Sequence, residues 1–363
     1  MNALERVSLA LAHQEPDRVP IDYWASPEIN KKILERFGFS TQEELLQHFD
    51  VDFRYIDGPQ YIGPEPEVHP DGSVEDHWGT PRIRVQVGSG DKTGEYKEVT
   101  SFPLAYAKSV DEVRDYAKWP SPDWFDYELV REQVAEARKT GKAVVFMGDR
   151  MNRCAQLKPA MYLRGFEQIM LDLAVNPDIA ECIFKKVAEF YLEYVRRTFE
   201  TAGDGIDIFF MGDDFGTQTG LFMSAEMWRR YLRPGFKAFI DLAKQYGYKV
   251  AHHSCGSIKP IIADLIECGL DILNPIQPDV YDMDGAEIKK IFGDRLCFHG
   301  SISIQKTLPF GTPDDIRSEV SRRMETLASG GGFIFCTAHN IQADTPLENV
   351  EALFEAYRSF GRY

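Results

Sequence analysis

No apolar run in the 363-residue sequence approaches the roughly 20 residues that a membrane-spanning helix needs. The opening MNALERVSLALAHQEPDR is interrupted by charge too often for a signal peptide, so a cytoplasmic protein is expected. Basic residues are the scarcer charge: 41 Lys and Arg face 57 Asp and Glu, a formal net charge of −16. Such an average field repels nucleic acid and anionic membrane, and neither is expected as a main partner. Neither GxGxxG nor GxxxxGK[ST] occurs, so nucleotide phosphates have no cradle. Internal repeats and low-complexity tracts are missing too. Six cysteines (154, 182, 255, 268, 297 and 336) are scattered along a large chain, and reduced thiols are expected. Cys182 and Cys268 fall in helical patterns, where cysteine serves as a small core residue.

What is present is a chain 44% hydrophobic and 27% charged, ample for a large core and read as one domain over residues 1–363. Short apolar runs alternate with amphipathic segments, the pattern of βα units. Eight candidate strands lie at 18–24, 52–58, 143–149, 206–213, 248–254, 270–276, 295–301 and 332–338. Helices read clearly in PDIAECIFKKVAEFYLEYVRRTFETAG, SAEMWRRYLRPGFKAFIDLAKQYG, PDDIRSEVSRRMETLASGG and LENVEALFEAYRSF. Eight such units predict a (β/α)8 TIM barrel. Residues 60–105 instead show period-two alternation with PDG and GSG turn signals, predicting an inserted β-hairpin excursion that caps the barrel mouth.

A barrel places its chemistry at the carboxyl ends of its strands, and ligand-type residues gather there. Asp149 and Arg150 end the third strand, Asp213 and Asp214 the fourth, His252, His253 and Cys255 the fifth, and Asn274 and Gln277 the sixth. His299 ends the seventh, and Cys336, His339 and Asn340 follow the eighth. In extended chain, residues two apart point the same way, so His253 and Cys255 converge while His252 faces away. An imidazole and a thiolate suit zinc, which needs a third ligand from elsewhere; Cys336 and His339 are the candidates. Two other readings stand beside it: a packed thiol with a hydrogen-bonded histidine, or Cys255 as a nucleophile with His253 as base, helped by a helix opening at Gly256 and Ser257. Asp214 is a candidate for proton delivery or a fourth ligand, and one of Asp213 and Asp214 for a cap. His299 is a candidate for a substrate hydrogen bond, and Cys297 for a core thiol.

The segments ALERVSLALAHQEPDRVPIDYW, HHSCGSIKPIIADLIECGLDILNPIQP, FGDRLCFHGSISIQKTLPFGTPDDIRSEV and GGGFIFCTAHNIQADTPLENVEAL resemble the uroporphyrinogen decarboxylase superfamily across nearly the whole chain. That resemblance implies a (β/α)8 barrel and one of two activities: cofactor-free decarboxylation of uroporphyrinogen, or zinc-dependent, cobamide-linked methyl transfer. True decarboxylases carry PxWxMRQAGR near the N-terminus. Here VPIDYWASPEINKKI lacks both arginines and holds Asp22 and Glu28, a poor match for eight substrate carboxylates. The methyltransferase branch carries HxC and a distant cysteine. His253 and Cys255 match the first part; His339 stands where the last cysteine belongs, with Cys336 three residues earlier. The resemblance thus implies Zn2+, a corrinoid supplied by a partner protein, and a small methyl donor or thiol acceptor. Phe215, Phe222, Tyr162 and Trp24 are expected to face the pocket, and long apolar helix faces leave a homodimer open. The rival readings are a tetrapyrrole decarboxylase and a non-catalytic corrinoid- or tetrapyrrole-binding barrel.

Overall fold

Parallel strands alternate with helices in this computed structural model, which describes residues 1–88, 94–148 and 153–363. Seven strands form one sheet in sequence order: β1 (Phe53–Ile56), β2 (Ala143–Phe146), β3 (Ile208–Gly212), β4 (Lys249–His253), β5 (Ile272–Asn274), β6 (Cys297–His299) and β7 (Phe333–Ile334). Every neighbouring pair is parallel. Such strands need cover on both faces, and their sequences are accordingly apolar on both. Phe53, Val145, Phe210, Ala251, Ile272 and Cys297 pack into an interior cluster with Trp24 and Val7. The alternate residues, among them Phe146, Phe209, Val250, Leu273 and Phe298, belong to the larger core shared with the helices.

The strand expected at 18–24 does not form a ladder. Ile21 makes a single parallel bridge to Phe335, and Ala25 another to Ile341. Pro20 has no N–H to give, and the Ile21 N–H goes to the Asp52 carboxylate at 2.9 Å instead of to a neighbouring carbonyl. The segment nonetheless touches both edges of the sheet: Phe335 N–H reaches Pro20 O at 2.8 Å, and Asp52 N–H reaches Ile21 O at 2.9 Å. Asp149 and Arg150, expected at the end of the third strand, lie outside the described residues.

Between β1 and β2 the chain leaves the sheet. Val74–Glu75, Pro81–Val87 and Gly94–Val99 form a separate three-stranded antiparallel sheet, and Gln60–Tyr61 pairs with Phe125–Asp126. Tyr96 on this sheet donates to Gln342 Oε1 at 2.9 Å, beyond β7. The long amphipathic helix runs Pro177–Ala202 with proline in its first turn, where a missing N–H costs nothing. The expected helix 224–247 is two, Ala225–Tyr231 and Arg233–Gln245, because Pro234 cannot continue the first. The segment 313–331 is helical over Pro313–Arg323 and continues as one π turn, Met324–Ala328. Among the described residues, no helix is long and apolar enough to cross a membrane.

A buried ion cluster pins the N-terminal segment to β1. Asp52, fully buried, accepts from Arg6 Nη1 and Arg18 Nη1, each at 2.7 Å, and from Ile21 N. Asp52→Ala removes an acceptor that two guanidinium groups share, leaving Arg6 on Asp17 and Arg18 on Asp50, and is expected to cost about 1–3 kcal/mol in denaturant unfolding. A loss under about 1 kcal/mol would show that the cluster does not hold this seam.

Candidate metal centre

Strand parity sorts the two adjacent histidines. Ala251 belongs to the interior cluster, and His253, two residues on, continues that inward face. His252 points outward, stacked on Phe215 at 5.1 Å and edge-on to Phe236 at 4.9 Å, with Nε2 3.1 Å from Asp213 O. Burial holds His252 down to about 3, a neutral structural residue. Past His253 the backbone turns sharply. Gly256 has φ +92°, and a Cβ there would lie 2.3 Å from Gly216 C, so only glycine fits. This turn brings Cys255 Sγ to 3.3 Å from His253 Nε2. The helix expected at Gly256 begins later, as one 3-10 turn at Lys259–Ile261.

Asp214 completes a compact group. Its Oδ1 lies 3.6 Å from His253 Nε2 and accepts from Cys255 N at 2.8 Å, while Oδ2 meets Lys158 Nζ at 2.8 Å. One ligand-type atom each from Asp214, His253 and Cys255 falls within 4.8 Å of the others. Burial opposes the Asp214 charge, but its interaction with the His253 ring, then the Lys158 ammonium and the Cys255 N–H, outweigh it and hold the carboxyl below its usual range. Burial also keeps His253 neutral, well below the ordinary imidazole value. Burial, with Asp214 adding to it, pushes the Cys255 thiol up to about 12. The separations of 3.3 and 3.6 Å fit the edges of a tetrahedron, roughly 3.5 Å, around an ion with nitrogen and sulfur ligands at about 2.0–2.3 Å.

The two candidates for a further ligand part company. His339 has its ring 5.4 Å from that of His253 and lines the same cavity of about 740 Å³, together with Asp214, Lys158, Arg153 and Trp24. Cys336 continues the inward face of β7 and lies fully buried in a different group, with Asp22 and His299. Burial, with the Asp22 charge adding to it, raises its thiol well above the ordinary value. Asp213 does not reach the cavity. It is buried and accepts from the backbone N–H groups of Gln156, Leu157 and Lys158, capping the helix Leu157–Arg164.

His299 corrects an expectation. Its Nδ1 lies 2.6 Å from Asn274 Nδ2 and its Nε2 2.9 Å from Asp22 Oδ2, so neither ring nitrogen is left for a substrate. Cys297 is fully buried in the interior cluster, where burial pushes its thiol up to about 12. Of the four aromatics expected at the pocket, Trp24 lines the cavity, while Tyr162 borders a small recess of about 40 Å³ beside it. Phe215 packs on His252 and Phe222 on Phe166, both away from the site. Sequence reasoning placed Asn274 at a strand end without a role; its Oδ1 lies 2.5 Å from His253 Nδ1. Lys158 carried no local signal, because a helix position distant from Asp214 in sequence brings it here.

The raised Cys255 thiol has a measurable sign. In chelator-stripped protein its alkylation rate, followed by mass spectrometry, is expected to keep rising with pH beyond 9 toward about 12, without levelling off at the ordinary thiol value. A plateau at pH 9 or below would contradict the buried, anion-flanked setting.

A sequence model described as uroporphyrinogen decarboxylase (URO-D) matches residues 102–360. The methylcobamide:CoM methyltransferase MtaA of Methanosarcina barkeri is 31% identical over 134 residues, 37% of either chain. A uroporphyrinogen decarboxylase of Chlorobium phaeobacteroides is 25% identical over 184 residues, 50% of this chain and 49% of the relative. The chain thus matches half or less of the length of these curated relatives. Among solved structures, a methyltransferase from Methanosarcina mazei aligns over 99% of both chains with a TM-score of 0.68 at 19% identity, which shows a common fold. With residues 102–360, well over half of the chain, covered by the family pattern, the chain belongs to the uroporphyrinogen decarboxylase family.

Proposed function

We propose that this protein is a zinc-dependent methyltransferase that moves a methyl group between a small methylated compound or thiol and a corrinoid carried by a partner protein. The observation that carries the reading is the convergence of His253 Nε2, Cys255 Sγ and Asp214 Oδ1 at the foot of an open cavity of about 740 Å³. The methyltransferase relatives support the reaction class. In this reading residues 18–24 stand for the first strand of a closed (β/α)8 barrel, and residues 60–105, with their antiparallel sheet, are the inserted excursion beside its mouth.

His253 and Cys255 would hold the ion, with His339 on the same cavity wall as the third ligand and Asp214 as a fourth ligand or proton carrier. Cys336 has no place in this set. Bound zinc supplies a Lewis acid, which lowers the pKa of an acceptor thiol or polarises a donor ether oxygen. The chain's own groups do the rest. Lys158 holds Asp214 as a carboxylate, Asn274 orients His253, and Trp24, 6.1 Å from the His253 ring, shields the inner side from water. A corrinoid protein would dock over this cavity and supply the cobalt that carries the methyl group.

Decarboxylation of uroporphyrinogen is disfavoured by the charge of the cavity wall. Arg153 and Lys158 face Glu28, Glu95, Asp214 and Asp344, and Lys158 is already paired. Among the described residues of the wall, an octa-anion would meet more negative than positive charge.

The reading is tested with methylcobalamin and coenzyme M or simple thiols, and in the opposite direction with cob(I)alamin and methoxylated aromatics. One direction is expected to turn over, with Cys255→Ala reducing the rate at least about 100-fold. No turnover either way, together with carbon dioxide release from uroporphyrinogen, would replace the reading by a decarboxylase.

A further inference from the structure

A chain of hydrogen bonds runs from the candidate metal centre into the interior of the sheet and ends on a buried carboxylate. His253 Nδ1 meets Asn274 Oδ1 at 2.5 Å. Asn274 Nδ2 meets His299 Nδ1 at 2.6 Å and also the His299 carbonyl oxygen at 2.9 Å. His299 Nε2 meets Asp22 Oδ2 at 2.9 Å. Asp22 is 3% exposed, and its other partners are the Tyr55 hydroxyl at 2.5 Å and the Tyr23 N–H at 2.8 Å. The Trp24 Nε1–H closes the series on the Tyr55 oxygen at 2.8 Å.

Each link has one allowed direction. A carboxylate only accepts, so His299 donates from Nε2, and in a neutral ring Nδ1 then accepts. The donor facing Nδ1 is the Asn274 amide nitrogen, an orientation enforced a second time by the His299 carbonyl, which also only accepts. Asn274 therefore presents its oxygen to His253, which donates from Nδ1 and keeps a bare lone pair on Nε2. That lone pair lies on the side of Cys255 Sγ and Asp214 Oδ1. Reversing any one link leaves two acceptors or two donors face to face in a dry interior, at about 1–3 kcal/mol for each unpaired group.

We propose that Asp22 is a positioning residue that, through His299 and Asn274, fixes His253 as the Nδ1–H tautomer and so directs its Nε2 lone pair at the candidate metal centre. The consequence for metal binding rests on the function proposed above; the tautomer itself does not. Asp22 belongs to the segment that bridges the two edges of the sheet, so the docking of residues 19–25 and the state of His253 are linked by four side chains.

The test is 15N NMR of histidine-labelled, metal-free protein at neutral pH, followed by Zn2+ titration with a competing chelator dye. Wild type is expected to show His253 protonated at Nδ1 only and His299 at Nε2 only. Asp22→Ala and His299→Ala are each expected to turn His253 into a tautomer mixture and to weaken Zn2+ about 10–100-fold. Asp172→Asn, a buried carboxylate change at the Arg164 ion pair, serves as the control for general destabilisation and is expected to leave both readouts alone. His253 protonated at Nε2 in wild type overturns the proposal without any variant having to fold. An unchanged His253 spectrum in a folded Asp22→Ala or His299→Ala protein overturns it too. Wild type with the expected tautomers and no Zn2+ binding supports the relay while refuting the metal reading.

Discussion

The contact between His253 Nδ1 and Asn274 Oδ1 is the one on which the site depends. It joins two adjacent parallel strands in register, since His253 and Asn274 are direct partners in the β4–β5 ladder. Because the strands are parallel, the carboxyl ends of β3, β4, β5 and β6 lie at one rim, and residues that share an inward face become neighbours across the sheet. Ala251, Ile272 and Cys297 fill the interior one layer below; His253, Asn274 and His299 stand two residues above them. The same alternation that builds the core thus builds a polar layer on top of it. A buried polar layer is tolerable only when every donor has an acceptor, and here the bonds run without a break to Asp22.

Charge defines the other half of the site. Lys158 from the helix Leu157–Arg164 neutralises Asp214, and that helix is itself seated by the neighbouring carboxylate Asp213. Two consecutive aspartates at the end of β3 therefore divide the work: one fixes a helix start, and the other faces His253 and Cys255. The cavity above them is bordered on the far side by the antiparallel sheet, through Glu95 and Tyr96, and by residues beyond β7, through His339 and Gln342. Tyr96 and Gln342 are hydrogen-bonded, so the two walls meet.

Periodicity made the sheet legible in the sequence, because β2 to β7 are short, apolar and separated by clear helices. Parity likewise separated His253 from His252. The segment at 18–24 escaped because its strand-like apolar pattern hides Pro20 and gives no hint that a distant Asp52 claims the Ile21 N–H. His299 was misjudged because rim position says nothing about partners; both of its ring nitrogens are taken by residues 25 and 277 positions away. Between Cys336 and His339, the sequence could not choose, since the distance each travels past the end of β7 is set by a loop. The structure leaves Cys336 with Asp22 and puts His339 on the cavity wall.

Whether His253 and Cys255 hold a metal ion is decided by elemental analysis of the purified protein beside His253→Ala and Cys255→Ala. About one zinc per chain is expected in wild type, falling to near zero in both variants with their folds intact. A metal-free wild type, or zinc retained in full by either variant, would contradict it.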